Sequence, residues 1–119
     1  LKKLKKTEEL TKKSSNLQIN VALNYGSRQE IIQALKKIKK KNSKVTEKSI
    51  IQNLYTENIP DPDLLIRTGN TNRLSNFLLW QLQYSEIFFE KKLWPDFNDI
   101  DFYKILEKYN KIKRNFGAI

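Results

Sequence analysis

Apolar positions in this chain switch between a two-residue and a helical spacing several times. Leu17, Ile19, Val21 and Leu23 alternate with mostly polar neighbours as far as Asn24-Tyr25-Gly26, which predicts a buried strand over Leu17–Tyr25. Ser27-Arg28-Gln29-Glu30 then has the S-x-x-E form of a capping box. The helix it starts puts Ile31, Leu35 and Ile38 on one face, with Ile32 beside them and lysines opposite. Asn42-Ser43-Lys44 breaks that pattern, and Thr46 is placed to cap a second helix carrying Ile50, Ile51 and Leu54. Pro60-Asp61-Pro62-Asp63 stops it and leads into a short strand, Leu64-Leu65-Ile66. A loop over 67–75 follows, with Ser75 as the expected N-cap of a helix over 76–83. Glu86 opens a third apolar strand, Ile87-Phe88-Phe89, and Leu93–Phe97 reads as a packed turn. Asn98 and Asp99 start the last helix, whose stripe is Phe102, Ile105 with Leu106, Tyr109 and Ile112, and Phe116-Gly117 gives it a glycine stop. Residues 1–13 are polar and basic and predict a helical tail, with only Leu4 and Leu10 to anchor it.

Strand and helix in alternation predict an α/β fold, a mostly parallel sheet flanked by helices. Ligands of such sheets bind beyond the carboxyl ends of the strands. Gly26, Arg28, Arg67, Gly69, Arg73 and Ser75 all follow strand ends, so they are expected along one edge.

Composition narrows the chemistry. The 119 residues suit one domain or part of one, and six Phe, two Trp and five Tyr supply core material although hydrophobic content is only 39%. No apolar run is long enough to span a bilayer and no secretory signal is visible, which makes a cytoplasmic location the expectation. Cys and His are both absent. That removes disulfides, thiolate or imidazole zinc sites, and Ser-His or Cys-His catalysis. A metal would have to be hard and oxygen-bound, as Mg²⁺ is. The net charge of +10 invites a nucleic-acid module as one reading. Nineteen of the 23 basic residues are lysines, however, clustered as at Lys36, Lys37, Lys39, Lys40 and Lys41, and such faces are usually just solvated. The four arginines, Arg28, Arg67, Arg73 and Arg114, sit close to Gly or Ser, where planar forked geometry has a use. We take these four as the functional charge and the lysines as background, with no nucleic-acid partner.

Arg67 and Arg73 lie six apart in one loop, with the Ser75 hydroxyl at the expected helix start. Several donors for several anionic oxygens suit a diphosphate better than a single phosphate. Glu86 opens the strand after this loop; a carboxylate beside a diphosphate is favourable if Mg²⁺ lies between them. The alternative is that Arg67 pairs with Asp61 or Asp63 and that Glu86 is a surface acid. Neither G-x-G-x-x-G nor a Walker A pattern occurs.

Beyond these physical readings, the order of motifs resembles the C-terminal half of the cis-prenyltransferases, the undecaprenyl diphosphate synthase family. Asn24–Ile31 resembles that family's N-Y-G-G-R-x-[DE]-I segment, and Asp63–Gly69 its D-L-x-I-R-T-G-G segment. Arg73–Gln81, Tyr84-Ser85-Glu86 and Leu93–Phe97 resemble its R-x-S-N-F-L-L-W-Q, Y-x-E and L-W-P-D-F segments, in the same order, from about Leu17 to Gly117. The resemblance implies condensation of isopentenyl diphosphate onto an allylic diphosphate such as farnesyl diphosphate, making a Z-polyprenyl diphosphate, with undecaprenyl diphosphate the expected product. It implies that Arg67, Arg73, Leu74 and Ser75 hold isopentenyl diphosphate, that Gly69, Arg28 and Arg114 support the site, and that Glu86 helps hold Mg²⁺ across a homodimer contact. Three positions depart from the pattern: Asn70 for the second glycine, Thr71 for a common acid, and Asn115 for an arginine near the end. The family's Asp-Gly-Asn-Gly-Arg-Trp segment, which holds the allylic diphosphate and the essential aspartate, has no counterpart here. The expectation is therefore that residues 1–119 form the C-terminal portion of one such domain, contain no catalytic residue of their own, and do not turn over alone. A non-catalytic partner subunit of a cis-prenyltransferase is the other reading.

Overall fold

A computed structural model describes residues 2–115. Its elements run α1 (Lys2–Thr11), α2 (Ser27–Lys40), α3 (Glu47–Ile51), β1 (Leu64–Arg67), β2 (Glu86–Phe89), a 3-10 turn (Trp94–Asp96) and α4 (Asp99–Tyr109). β1 and β2 form a parallel pair with Leu64 opposite Glu86 and Arg67 opposite Phe89. The fold is α/β as expected, with two described strands in the sheet rather than three.

The difference lies in Leu17–Tyr25, which has no strand partner among the described residues and no regular structure. Leu17, Ile19, Val21 and Leu23 are between 63% and 76% exposed. The alternation is present, but a strand needs a neighbour to satisfy its backbone groups, and none among the described residues lies beside it. The expected helix over 76–83 is also absent; the segment is a series of tight turns. Ser75, Asn76 and Leu78 have φ of 50°, 63° and 43°, left-handed backbone that cannot open a right-handed helix.

Where caps are local, the pattern holds. Thr46 accepts from the Ser49 N–H at 3.1 Å and Ser49 Oγ accepts from the Thr46 N–H, a reciprocal box that starts α3. Asn98 and Asp101 make the same exchange at the start of α4. That helix ends with Asn110 as its C-cap, earlier than the glycine signal suggests, and Phe116-Gly117 lies outside the described residues. The tail helix α1 forms but buries nothing.

The buried hydrophobic side chains are Ala34, Ile38, Leu54, Leu82 and Ile105. Along α2 the buried line is Ser27, Glu30, Ala34 and Ile38, one position round from the expected face, with Ile32 and Leu35 left exposed. Hydrogen bonds made by Ser27 and Glu30 turn that side inward. The radius of gyration is 17.0 Å, against about 13.5 Å for a compact domain of this length. No helix among the described residues is long and apolar enough to cross a membrane.

Candidate diphosphate site

The loop after β1 is pinned at both ends. At its start, the Glu90 N–H donates to the Arg67 carbonyl at 2.7 Å, Gly69 N–H to Lys92 O at 2.7 Å, and Asn70 N–H to Glu90 O at 3.1 Å. The loop thus runs alongside the chain leaving β2. Gly69 has φ +93° with open space where a Cβ would stand, so its constraint is backbone rather than room. Asn70 follows at φ +52°, left-handed backbone that asparagine tolerates where the family pattern has glycine.

At its far end the loop meets the N-terminus of α2. The N-cap of α2 is Gly26, not Ser27, and it has no side chain to cap with. Its place is taken from 48 residues away. Asn76 Oδ1 accepts from the Arg28 N–H at 2.9 Å, and the Asn76 carbonyl accepts from the Ser27 N–H at 2.8 Å. Ser27 Oγ in turn accepts from the Leu79 N–H at 3.0 Å, and Asn76 Nδ2 donates to Gln29 Oε1 at 3.1 Å. Two free N–H groups of α2 are thereby satisfied by protein. Between the two anchors, Arg73 and Ser75 are exposed and Leu74 is half-buried.

Glu30 is the hub behind this joint. Its carboxylate is 1% exposed and accepts from the Tyr25 hydroxyl, the Tyr55 N–H at 2.7 Å and Gln81 Nε2 at 3.3 Å. Burial first, then the bond to Glu30, pushes the Tyr25 hydroxyl up to about 12. Neither Asn76 nor Glu30 was visible as part of a site from sequence. Their partners lie far along the chain, and the S-x-x-E spacing pointed to a local box instead.

The arginines divide into two groups. Arg114 binds Asp63 in an ion pair, with further bonds to the Tyr109 hydroxyl and the Tyr84 carbonyl. Its guanidinium pKa is held up chiefly by Asp63. Asp63 directly precedes β1, so Arg114 stands at the start of the strands, away from the arginine loop. Arg67 closes the other end of β1 and has no ion pair among the described residues; its Nε is buried with no hydrogen-bond partner. Asp63 is thus taken by Arg114 and not by Arg67. Partial burial lifts the Asp61 carboxyl above its ordinary value, and Asp61 makes no ion pair among the described residues. Arg28 and Arg73 likewise have no acid partner among the described residues.

The strand register fixes Glu86. It pairs with Leu64, three positions from Arg67, and alternation puts the two side chains on opposite faces. Within one chain, Glu86 is therefore at the opposite end of the strands from the loop, not beside it as the sequence suggests. No three acidic groups cluster as a metal site among the described residues. A lone carboxylate still fits Mg²⁺, which takes one or two carboxylates together with phosphate oxygens and water.

A parallel α/β unit with unpaired arginines in a loop past the strand ends has the build of a phosphate-handling enzyme. The family described as "Putative undecaprenyl diphosphate synthase" matches residues 1–117, and the chain belongs to that family. It is similar to an isoprenyl transferase of Thermotoga maritima, 48% identical across 100% of this chain and 53% of the relative. Isoprenyl transferase 1 of Tropheryma whipplei is 47% identical over 98% of this chain and 50% of its own length. The crystal structure of a probable undecaprenyl diphosphate synthase from Campylobacter jejuni superposes with a TM-score of 0.86 at 40% identity, covering 98% of this chain and 55% of that one. Lavandulyl diphosphate synthase from Lavandula x intermedia, solved with dimethylallyl diphosphate, gives 0.88 at 34% identity over 96% and 52%. The chain thus spans about half the length of the relatives it matches.

Proposed function

We propose that this chain carries the isopentenyl diphosphate half-site of a cis-prenyltransferase. The observation that supports it best is Arg67: a guanidinium at the carboxyl end of a parallel strand, its buried Nε without a partner and with no ion pair among the described residues. Leaving a buried donor unpaired is costly, and an anionic oxygen would remove that cost. Arg67, Arg73 and Ser75 would grip the diphosphate, Leu74 would line the isopentenyl end, and Gly69 and Arg28 would hold the loop and its edge. Arg114, fixed to Asp63, would support the fold at the other end of the strands.

In the whole enzyme the allylic diphosphate would occupy the other half, and the chemistry would be C–C bond formation as that diphosphate leaves, extending the chain toward an undecaprenyl product. Mg²⁺ would supply charge stabilisation to the bound diphosphates. Given the strand register, Glu86 could serve the same diphosphate as Arg67 only from a second copy, so the reading includes a homodimer. It also includes a cytoplasmic location, which suits water-soluble substrates. A non-catalytic partner subunit would have no need of three unpaired arginines.

Calorimetric titration of this chain with isopentenyl diphosphate tests the reading. Binding should be measurable, and Arg67→Ala should weaken it about tenfold to a hundredfold, the worth of one charged hydrogen bond. Lys40→Ala should leave it unchanged. No binding, or equal losses in both variants, would overturn the proposal.

A further inference from the structure

We infer that Asn76 is a positioning residue for the diphosphate, acting through the backbone of the Ser75–Leu78 turn rather than by contact with the ligand; this rests on the half-site reading above. Three non-glycine residues in four, Ser75, Asn76 and Leu78, are held in left-handed backbone. Each such residue carries a conformational cost and persists only when its surroundings over-determine it. What over-determines it here is the start of α2. Asn76 gives both its carbonyl and its Oδ1 to the Ser27 and Arg28 N–H groups, and its Nδ2 to Gln29. Ser27 Oγ closes the far side of the turn on the Leu79 N–H.

The arrangement is reciprocal. α2 has no side-chain cap of its own, because Gly26 occupies that position. A Cβ on Gly26 would stand 2.8 Å from Asn76 Nδ2 and 2.5 Å from Gln29 Oε1, so the glycine leaves the room that Asn76 fills. Its φ of −151° is open to any residue, so close approach alone is the constraint. One side chain therefore caps a helix and fixes the backbone that carries Ser75 and follows Arg73. Arg28, whose N–H it accepts, is drawn to the same edge.

The test separates this role from plain stability. Asn76→Gly keeps the left-handed backbone but removes the cap; Asn76→Asp keeps an acceptor at the helix start. Isopentenyl diphosphate affinity should fall about tenfold in Asn76→Gly and recover to within about threefold in Asn76→Asp, a cap being worth roughly one such factor. Gly26→Ala, which displaces the Asn76 side chain, should weaken binding in the same direction. Thr46→Ala is the control: it removes a cap of the same kind at α3 and should lower the melting temperature without changing affinity. Amide exchange of Ser27, Arg28 and Leu79 should quicken in Asn76→Gly. If Asn76→Gly binds like the unsubstituted chain, or if Thr46→Ala loses affinity equally, the positioning role fails while the half-site reading stands. If the unsubstituted chain does not bind at all, the half-site reading fails and takes this role with it, whatever the exchange rates.

Discussion

At the scale of single residues, the informative groups are those whose partners are far away in sequence. Glu30 is nearly inaccessible and carries three donors from three segments, yet no described basic side chain bonds to it. Tyr25 reports on it. With its pKa raised from 10.0 to about 12, neutral Tyr25 contributes stability fully present below about pH 10. Above that the unfolded chain ionises first, so the contribution is lost as pH rises from 10 toward 12. Tyr25→Phe has no hydroxyl to titrate. Melting temperature followed from pH 9 to 12 should therefore fall less steeply in the variant than in the unsubstituted chain; parallel curves would show that Tyr25 is not coupled to folding. Asp63 shows the same dependence on distant partners. Its local sequence names no partner for it, yet it binds Arg114 fifty-one positions later, and Arg67 has no ion pair among the described residues.

At the scale of elements, what was legible followed from local chemistry. The caps Thr46 and Asn98 start α3 and α4 as the sequence indicates, and the apolar runs of β1 and β2 are strands. The Asn98 cap makes a quantitative case. Asn98→Ala removes the acceptor for the Asp101 N–H and should cost about 1 kcal/mol, roughly 4–8 °C in melting temperature for a chain near this size. A shift below 1 °C would mean that α4 is held by packing alone. What was not legible depended on neighbours outside the segment. Leu17–Tyr25 has the period of a strand but no ladder partner among the described residues, and a strand cannot be completed by its own residues. The 76–83 stretch has a helix-like composition, but Asn76 spends its carbonyl and side chain on α2 and takes the left-handed backbone this requires. The S-x-x-E spacing misleads for the same reason, since Ser27 bonds Leu79 and Glu30 bonds Tyr55. Of the candidate site, the arginine loop after β1 could be read in advance; Asn76, Glu30 and the placement of Arg114 could not.

At the scale of the whole molecule, the register of two strands decides where Glu86 can act. Leu64 pairs with Glu86 and Arg67 with Phe89, so Glu86 and Arg67 are at opposite ends and on opposite faces. If Glu86 acts on the diphosphate that Arg67 grips, it does so in another copy; if it does not, it is a half-buried acid with a structural role. The two cases differ in an enzyme that turns over. The test therefore uses a chimera that joins this chain to the part of the Thermotoga maritima relative it does not cover, the chain spanning 53% of that relative. Glu86→Gln keeps the side chain's shape and removes its charge. In the dimeric-site case the variant should need more Mg²⁺ for half-maximal rate and lose part of its kcat. Mixing it with an Arg67→Ala chain should then restore activity in part, because one of the two sites in a mixed dimer has both residues intact. In the structural case the Mg²⁺ dependence should be unchanged, the stability loss should be at most about 1 kcal/mol, and mixing should restore nothing. Restoration on mixing is the decisive readout, since only a shared site lets two defective chains repair each other.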